Sequence, residues 1–310
     1  MKILLATDGS EQSEKAARLI TRFELKPDDE IIVFHAISWI PFQEDRESFY
    51  KNLSYLRREI AGKIIDSAIN ILRPVPARIK TATREGFADK AILEEAAGSD
   101  VDLIVMGARG LKGVSSFLLG SVTRSAAIQS TKPVLIVKNM RDEGAGETGK
   151  KQKPLMSVLL ATDGSDFSVA AARFLATMPL PAETPVRLLN VSWSAVSDIP
   201  ERYIIEVDDL VKQEIERARE NEYAVSGGLI RRARAELEKK FSGISETIRL
   251  GDPAEEIIAE SREWNADIVV VGCRGLRGIR GMMGSVSRKV LGLADYSVLI
   301  GRVCGEKNSK

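Results

Sequence analysis

The chain has 310 residues, is 44% hydrophobic and carries 45 basic against 44 acidic side chains, a formal charge of +1. That length predicts two domains with a core in each, and the even charge argues against a dedicated nucleic-acid or membrane-surface protein, which would show a basic excess. Two cysteines, Cys273 and Cys304, make no disulfide framework, and the single histidine, His35, excludes chemistry that needs several imidazoles.

Residues 2–7 form a short apolar run bounded by Asp8-Gly9 and read as a buried strand. No signal peptide is expected before it. No run approaches about eighteen apolar residues, so no membrane span is predicted and a cytoplasmic protein is expected. Ser10 offers a hydroxyl to the following helix, and Ala16, Ala17, Leu19, Ile20 and Phe23 give that helix its apolar face. Residues 30–37 read as the second strand, where His35 is expected to hydrogen-bond locally. A long helix is predicted over 46–72, ended by Pro74 and Pro76. A third strand follows at 77–84, then a helix over 87–97 closed by Gly98. The fourth strand, 101–106, is almost wholly apolar, as suits a strand covered on both faces. A helix over 121–129 and a last strand over 133–137 complete the unit, with Pro133 suited to a sheet edge.

Residues 141–154 are polar and glycine-rich and read as a flexible linker. Within them Gly144-x4-Gly149-Lys150 imitates a phosphate loop, but Lys151 stands where a hydroxyl would hold magnesium and Pro154 follows with no helix. After the linker the pattern repeats. Leu4 to Ser10 is identical to Leu159 to Ser165, at an offset of 155. Ile37-Ser38-Trp39 matches Val191-Ser192-Trp193 at 154, Gly86 matches Gly251 at 165, and Gly120-Ser121-Val122 matches Gly284-Ser285-Val286 at 164. The second copy therefore carries eleven extra residues between Trp193 and Gly251. They fall in a charged helix around 201–240, which Gly227-Gly228 is expected to break or kink. Its strands are predicted at 157–162, 186–193, 244–250, 267–271 and 297–300. Alternating strands and helices imply right-handed crossovers, so each copy is an α/β doubly wound domain, a parallel sheet with helices on both faces.

After the fourth strand, Gly107, Gly110, Gly113 and Gly120 run into the helix at Ser121. Such a loop brings backbone amides close to an anion, and the free amides of Ser121 and Val122 and the positive helix end can bind phosphate oxygens. The plain alternative is that the glycines are turns and Ser121 is an N-cap. Arg109, Lys112 and Arg124 either add charge to such a site or are solvated. Cys273, beside Arg274, is either a reactive thiol or a small loop filler. Trp39 and Trp193 pack in the core or at a cleft rim, or stack on a base.

Gly107-x2-Gly110-x9-Gly120-Ser121, with Ala6-Thr7-Asp8-Gly9-Ser10 at the first strand, resembles the ATP-binding branch of the universal stress protein family. The resemblance covers both halves. It implies a five-stranded parallel sheet of order 3-2-1-4-5 in each, with a ligand crevice at the carboxyl ends of strands one and four. It implies that ATP or AMP binds there, with adenine and ribose at Ala6, Thr7, Asp8 and Ala36, beside Met106. The phosphates would lie along Gly107, Arg109, Gly110, Gly120, Ser121 and Val122. The counterparts in the second half are Ala161, Thr162, Asp163, Val191, Val271, Gly272, Arg274, Gly275, Gly284, Ser285 and Val286. Mg²⁺ would come with the nucleotide near Asp8 or Asp163, with no protein-only metal site. Family members pair through the last strand, which implies an intramolecular pseudo-dimer; a homodimer of whole chains stays open.

The second half departs from the pattern, since only eight residues separate Gly275 from Gly284 and the deletion falls within 279–283, where Gly281, with Arg277 and Arg280, offers flexibility and charge. Gly278 still aligns with Gly113. Asp252-Pro253 fits the family's turn after strand three, where the first half has Phe87-Ala88. The expected domains are 1–140 and 155–303, with a polar tail at 304–310. The favoured function is a nucleotide-dependent switch in the stress response. A slow Mg-dependent ATPase and a non-nucleotide interaction scaffold remain alternatives, and no catalytic residue is assigned.

Overall fold

Among the described residues ten strands form one continuous sheet. In the first half these are β1 (Lys2–Ala6), β2 (Glu30–Ser38), β3 (Arg78–Gly86), β4 (Leu103–Gly107) and β5 (Val134–Val137). The second half supplies β6 (Val158–Ala161), β7 (Val186–Ser192), β8 (Ile244–Leu250), β9 (Ile268–Gly272) and β10 (Ser297–Gly301). The helices among the described residues are α1 (Glu11–Ile20), α2 (Glu47–Leu72), α3 (Ala88–Gly98), α4 (Ser121–Gln129), α5 (Asp166–Thr177), α6 (Asp209–Leu237), α7 (Pro253–Glu263) and α8 (Ser285–Leu293). The computed structural model describes residues 1–38, 47–111, 119–138, 155–192, 208–274 and 283–302. Trp39, Trp193, Lys112, Gly113, Gly275, Arg277, Gly278, Arg280, Gly281, the linker 141–154 and the tail 304–310 lie outside the described residues.

The strand order is β3-β2-β1-β4-β5-β10-β9-β6-β7-β8. Each half thus has the expected order 3-2-1-4-5, parallel throughout. The halves meet where β5 pairs antiparallel with β10, Leu135 opposite Leu299. Both strands are fully buried, so the edges exposed by each half alone are consumed by the other. The core lies in two layers. Ile3, Leu5, Val33 and Leu135 pack with α1 and α2 on one face, together with Leu160, Leu175, Ile230 and Leu299 of the second half. Leu4, Phe34, Ile104 and Ile136 pack with α3 and α4 on the other face, together with Leu159, Ile257, Val290 and Ile300. Each apolar layer therefore runs unbroken across the seam.

Three expectations are corrected. First, the match of Ile37-Ser38-Trp39 to Val191-Ser192-Trp193 is out of step by one. Ala36 pairs with Arg84 and Val191 with Arg249, so the sheet keeps the offset of 155 through the second strand. The insertion is then ten residues, the difference between offsets 155 and 165. A one-residue slip would exchange the side chains that pack in one apolar layer with those that pack in the other. Second, α6 runs without interruption through Gly227 and Gly228. Two glycines cost a helix roughly 2 kcal/mol, and burial of Ile230, Ala233 and Leu237 on the sheet offsets it. Third, Gly98 is the last residue of α3 rather than the residue after it, and the left-handed residue is Asp100, φ 46°, as Asn265, φ 57°, is after α7. Asp and Asn tolerate that conformation better than other non-glycine residues.

Candidate functional site

Strands β1 and β4 are neighbours whose following connections leave to opposite sides, so a crevice opens at their carboxyl ends. One wall is the turn from β1 to α1. Gly9 sits at φ +78°, which only glycine adopts readily. Ser10 caps α1, accepting from the Ser13 amide, and donates its hydroxyl to Asp8 Oδ1 at 2.6 Å. The Ser10 amide also donates to Asp8 Oδ1, at 3.0 Å. Thr7 is buried; its hydroxyl donates to Ser13 Oγ at 3.1 Å and accepts from the Gly9 amide. Its side chain is thus committed to the turn. The second half reproduces the turn: Gly164 lies at φ +73°, Ser165 caps α5, and Ser165 Oγ donates to Asp163 Oδ1 at 2.6 Å. Thr162 Oγ1 again meets the helix serine, Ser168, at 3.0 Å.

His35 holds this wall from behind. Its Nδ1 lies 2.8 Å from the Thr7 carbonyl, an acceptor, so Nδ1 carries the proton. In the second half Asn190 does the same work, Nδ2 donating to the Thr162 carbonyl at 2.7 Å. An amide that cannot titrate substitutes for the imidazole, which marks the position as structural.

The other wall is the loop after β4 and the start of α4. The Ala108 amide donates to Val137 O at 2.8 Å, and Ala108 O accepts from the Gly120 amide at 2.9 Å. Thr123 Oγ1 donates to Gly107 O at 2.9 Å. These bonds bring the amino end of α4 beside the end of β4. Cys273 makes the same pair of backbone bonds as Ala108, to Gly301 O and from the Gly284 amide, both 2.9 Å, and Ser287 Oγ donates to Gly272 O at 2.6 Å. Cys273 is 3% exposed, a buried small residue in the place of alanine. Asp8 joins the two walls, its Oδ2 accepting from the Leu111 amide at 3.1 Å. A Cβ on Gly110 would stand 2.3 Å from that same oxygen, so the close approach requires glycine.

Four described helices begin with a side-chain cap: Ser10 on α1, Ser165 on α5, Asp208 on α6 and Asp252 on α7. Helices α4 and α8 begin at Gly120 and Gly284 without one, as does α3 at Phe87. Ser121 and Ser285 are therefore the first helical residues rather than caps, and both are exposed at the cleft end. Ala6 and Met106 are buried beneath the crevice, as is Val271 in the second half, while Ala36, Val122, Ala161, Val191 and Val286 are half-buried around it. Arg124 lies exposed on α4.

The clefts differ. Gln12 of the first half is replaced by Phe167 at the same offset of 155, and the Arg274 guanidinium stacks on the Phe167 ring at 5.1 Å. Residue reasoning missed this contact, and it missed Thr123 and Ser287. For the latter a signal was present: a hydroxyl three residues after the last glycine in both copies. Among the described residues no cluster of three or more His, Cys, Asp or Glu could hold a metal, and no helix is long and apolar enough to cross a membrane.

The family model described as the universal stress protein family matches residues 1–138 and again 155–302. A universal stress protein of Thermus aquaticus is 35% identical over 136 residues, 44% of this chain and 97% of that protein. One from Mycolicibacterium smegmatis is 23% identical over 308 residues, 97% of this chain and 96% of that protein. The crystal structure of a universal stress protein from Archaeoglobus fulgidus DSM 4304 aligns over 97% of this chain and 96% of its own, at 21% identity and a TM-score of 0.59, which shows a shared fold. With the sheet order of each half and a match to both, the chain belongs to the universal stress protein family, in tandem form.

Proposed function

We propose that the chain is a stress-response regulatory protein that binds an adenine nucleotide, ATP or AMP, and uses its occupancy as a switch. The observation that carries this reading is the uncapped amino end of α4, tied by the Gly120 amide to Ala108 of the glycine loop that Asp8 contacts at Leu111. Unpaired amides at a helix start are an anion site when nothing in the protein caps them. Phosphates would take the amides of Ser121 and Val122 and the loop from Gly107 to Gly110. Adenine and ribose would rest on Ala6, Ala36 and Met106, with the Thr7 backbone and Asp8 beside them.

Magnesium arrives with phosphates and keeps most of its water, needing one or two carboxylates from the protein. Asp8 supplies one in the first cleft and Asp163 one in the second. Bound there, the ion would neutralise phosphate charge. The second cleft uses Gly272, Gly284, Ser285 and Val286, and its Arg274 must leave the Phe167 ring to reach a phosphate. The two domains, 1–140 and 155–303, act as an intramolecular dimer, a reading supported by the β5–β10 seam. We expect it in the cytoplasm.

Melting the purified chain with and without Mg-ATP tests the reading. Ligand at a hundred times its dissociation constant stabilises the domain that binds it by about 2.7 kcal/mol. No shift with ATP, ADP or AMP would leave an interaction scaffold as the better reading. Steady release of phosphate would make the protein a slow ATPase instead.

A further inference from the structure

The helices that open onto the two clefts end against the opposite halves of the molecule. Lys138 follows β5 directly, and Arg302 follows β10; the two are equivalent in the repeat, 164 residues apart. Lys138 Nζ crosses the seam and donates to Leu291 O at 2.8 Å and Ala294 O at 2.6 Å, at the carboxyl end of α8. Arg302 crosses in the other direction, its Nη2 donating to Ala127 O and, at 3.1 Å, to Ile128 O at the carboxyl end of α4. Carbonyls of a last helical turn have no partner within the helix and carry the negative end of its dipole. A cation there both satisfies them and reinforces the positive potential at the other end.

The amino end of α4 closes the first cleft and that of α8 the second. Each helix has nine residues, about 13 Å from end to end. The residue before each cation is also bound to the glycine loop of its own half, Val137 O to the Ala108 amide and Gly301 O to the Cys273 amide. Resting on the nucleotide reading above, we propose that Arg302 is a positioning residue for the first cleft and Lys138 for the second. Each half thereby completes the binding site of the other.

The test uses the full chain and Mg-ATP titrated by calorimetry. Ser285→Glu sets a negative charge where the second cleft would take phosphate, yet an acid suits a helix start, so that cleft is disabled without loss of fold. In this background Arg302→Met is expected to weaken ATP binding about three- to tenfold, while Lys138→Met changes it less than about twofold. Arg302→Lys, which keeps a charged donor, restores most of the loss. In a Ser121→Glu background the pattern reverses, and Lys138→Met is the damaging change. Where a methionine variant fails to fold, judged by its melt without nucleotide, the glutamine variant replaces it.

Equal weakening by both substitutions in the Ser285→Glu background would reduce the two cations to seam contacts, and no weakening by Arg302→Met would overturn the proposal. If ATP fills the first cleft alone, the Arg302 arm decides. No binding by the unsubstituted chain would remove the nucleotide reading itself and this inference with it, whereas binding without the crossed pattern removes this inference only.

Discussion

At the scale of single residues, the two copies act as internal mutants of each other. His35 and Asn190 donate to equivalent carbonyls from equivalent strand positions. His35→Asn should therefore leave stability within about 0.5 kcal/mol of the parent, and His35→Ala, which strands the Thr7 carbonyl, should cost about 1–2 kcal/mol; urea unfolding measures both. Asp8 and Gly110 form a second such unit. Gly110→Ala puts a methyl on Asp8 Oδ2 and displaces the carboxylate from the Leu111 amide. Its expected effect is loss of the ATP-dependent melting shift of the first half, with at most about 1–2 kcal/mol change in stability without ligand. Gly9, Ser10 and Gly110 were legible because their types are constrained locally: a positive φ, a cap, a close approach. Phe167 was not legible, because what faces Arg274 depends on where α5 lies on the sheet.

At the scale of elements, strand existence and order were legible throughout, and helix ends were less so. Gly227 and Gly228 carry the usual signal for a break, but burial of one face of α6 on the sheet outweighs two weak positions. Nothing lies within 4 Å of a Cβ built on Gly227. Gly227→Ala should then stabilise the chain by about 0.5–1 kcal/mol, seen as a higher denaturation midpoint. A kinked helix would lose stability on the same change. The start of α3 gives a converse case. Asp252 caps α7 by accepting from the Glu255 amide at 3.0 Å, whereas Phe87 offers α3 no side-chain bond and is 66% exposed. Phe87→Asp should add about 1 kcal/mol by supplying the missing cap.

At the scale of the whole molecule, the seam decides what the chain can be. Each last strand spends its free edge on the other, which leaves β3 and β8 as the sheet's outer edges. A second copy could not dock on strand five without opening the seam, so any dimer of whole chains must use another surface. Lys138 reports on seam closure. Burial pushes its ammonium down to about 8, with Asp295 pulling the other way and Arg109 adding to the fall. An unfolded lysine titrates near 10.4, roughly. Between those values the unfolded chain binds more protons, so this group's contribution to stability rises with pH; below about 8 the cost of burying its charge is fully present. Lys138→Met should flatten that part of the stability curve, measured by urea unfolding from pH 7 to 10. An amine that titrates above 10 in the folded chain would show that the helix carbonyls outweigh the desolvation.

The sequence by itself determined that this protein is two copies of one α/β domain, and where each copy turns from strand to helix. Those features follow from local rules: apolar periodicity, the freedom of glycine, and the fit of a serine to a helix start. The identical turns from Leu4 to Ser10 and from Leu159 to Ser165 fold alike because nearly all the bonds that shape them lie within a few residues. Only the tertiary structure decided the strand register that shifts the repeat by one residue, the continuity of α6, the Arg274–Phe167 stack and the crossing of Lys138 and Arg302. Each of these depends on which surfaces meet across distances in sequence that no local propensity encodes. The packing of two halves into one sheet selects them.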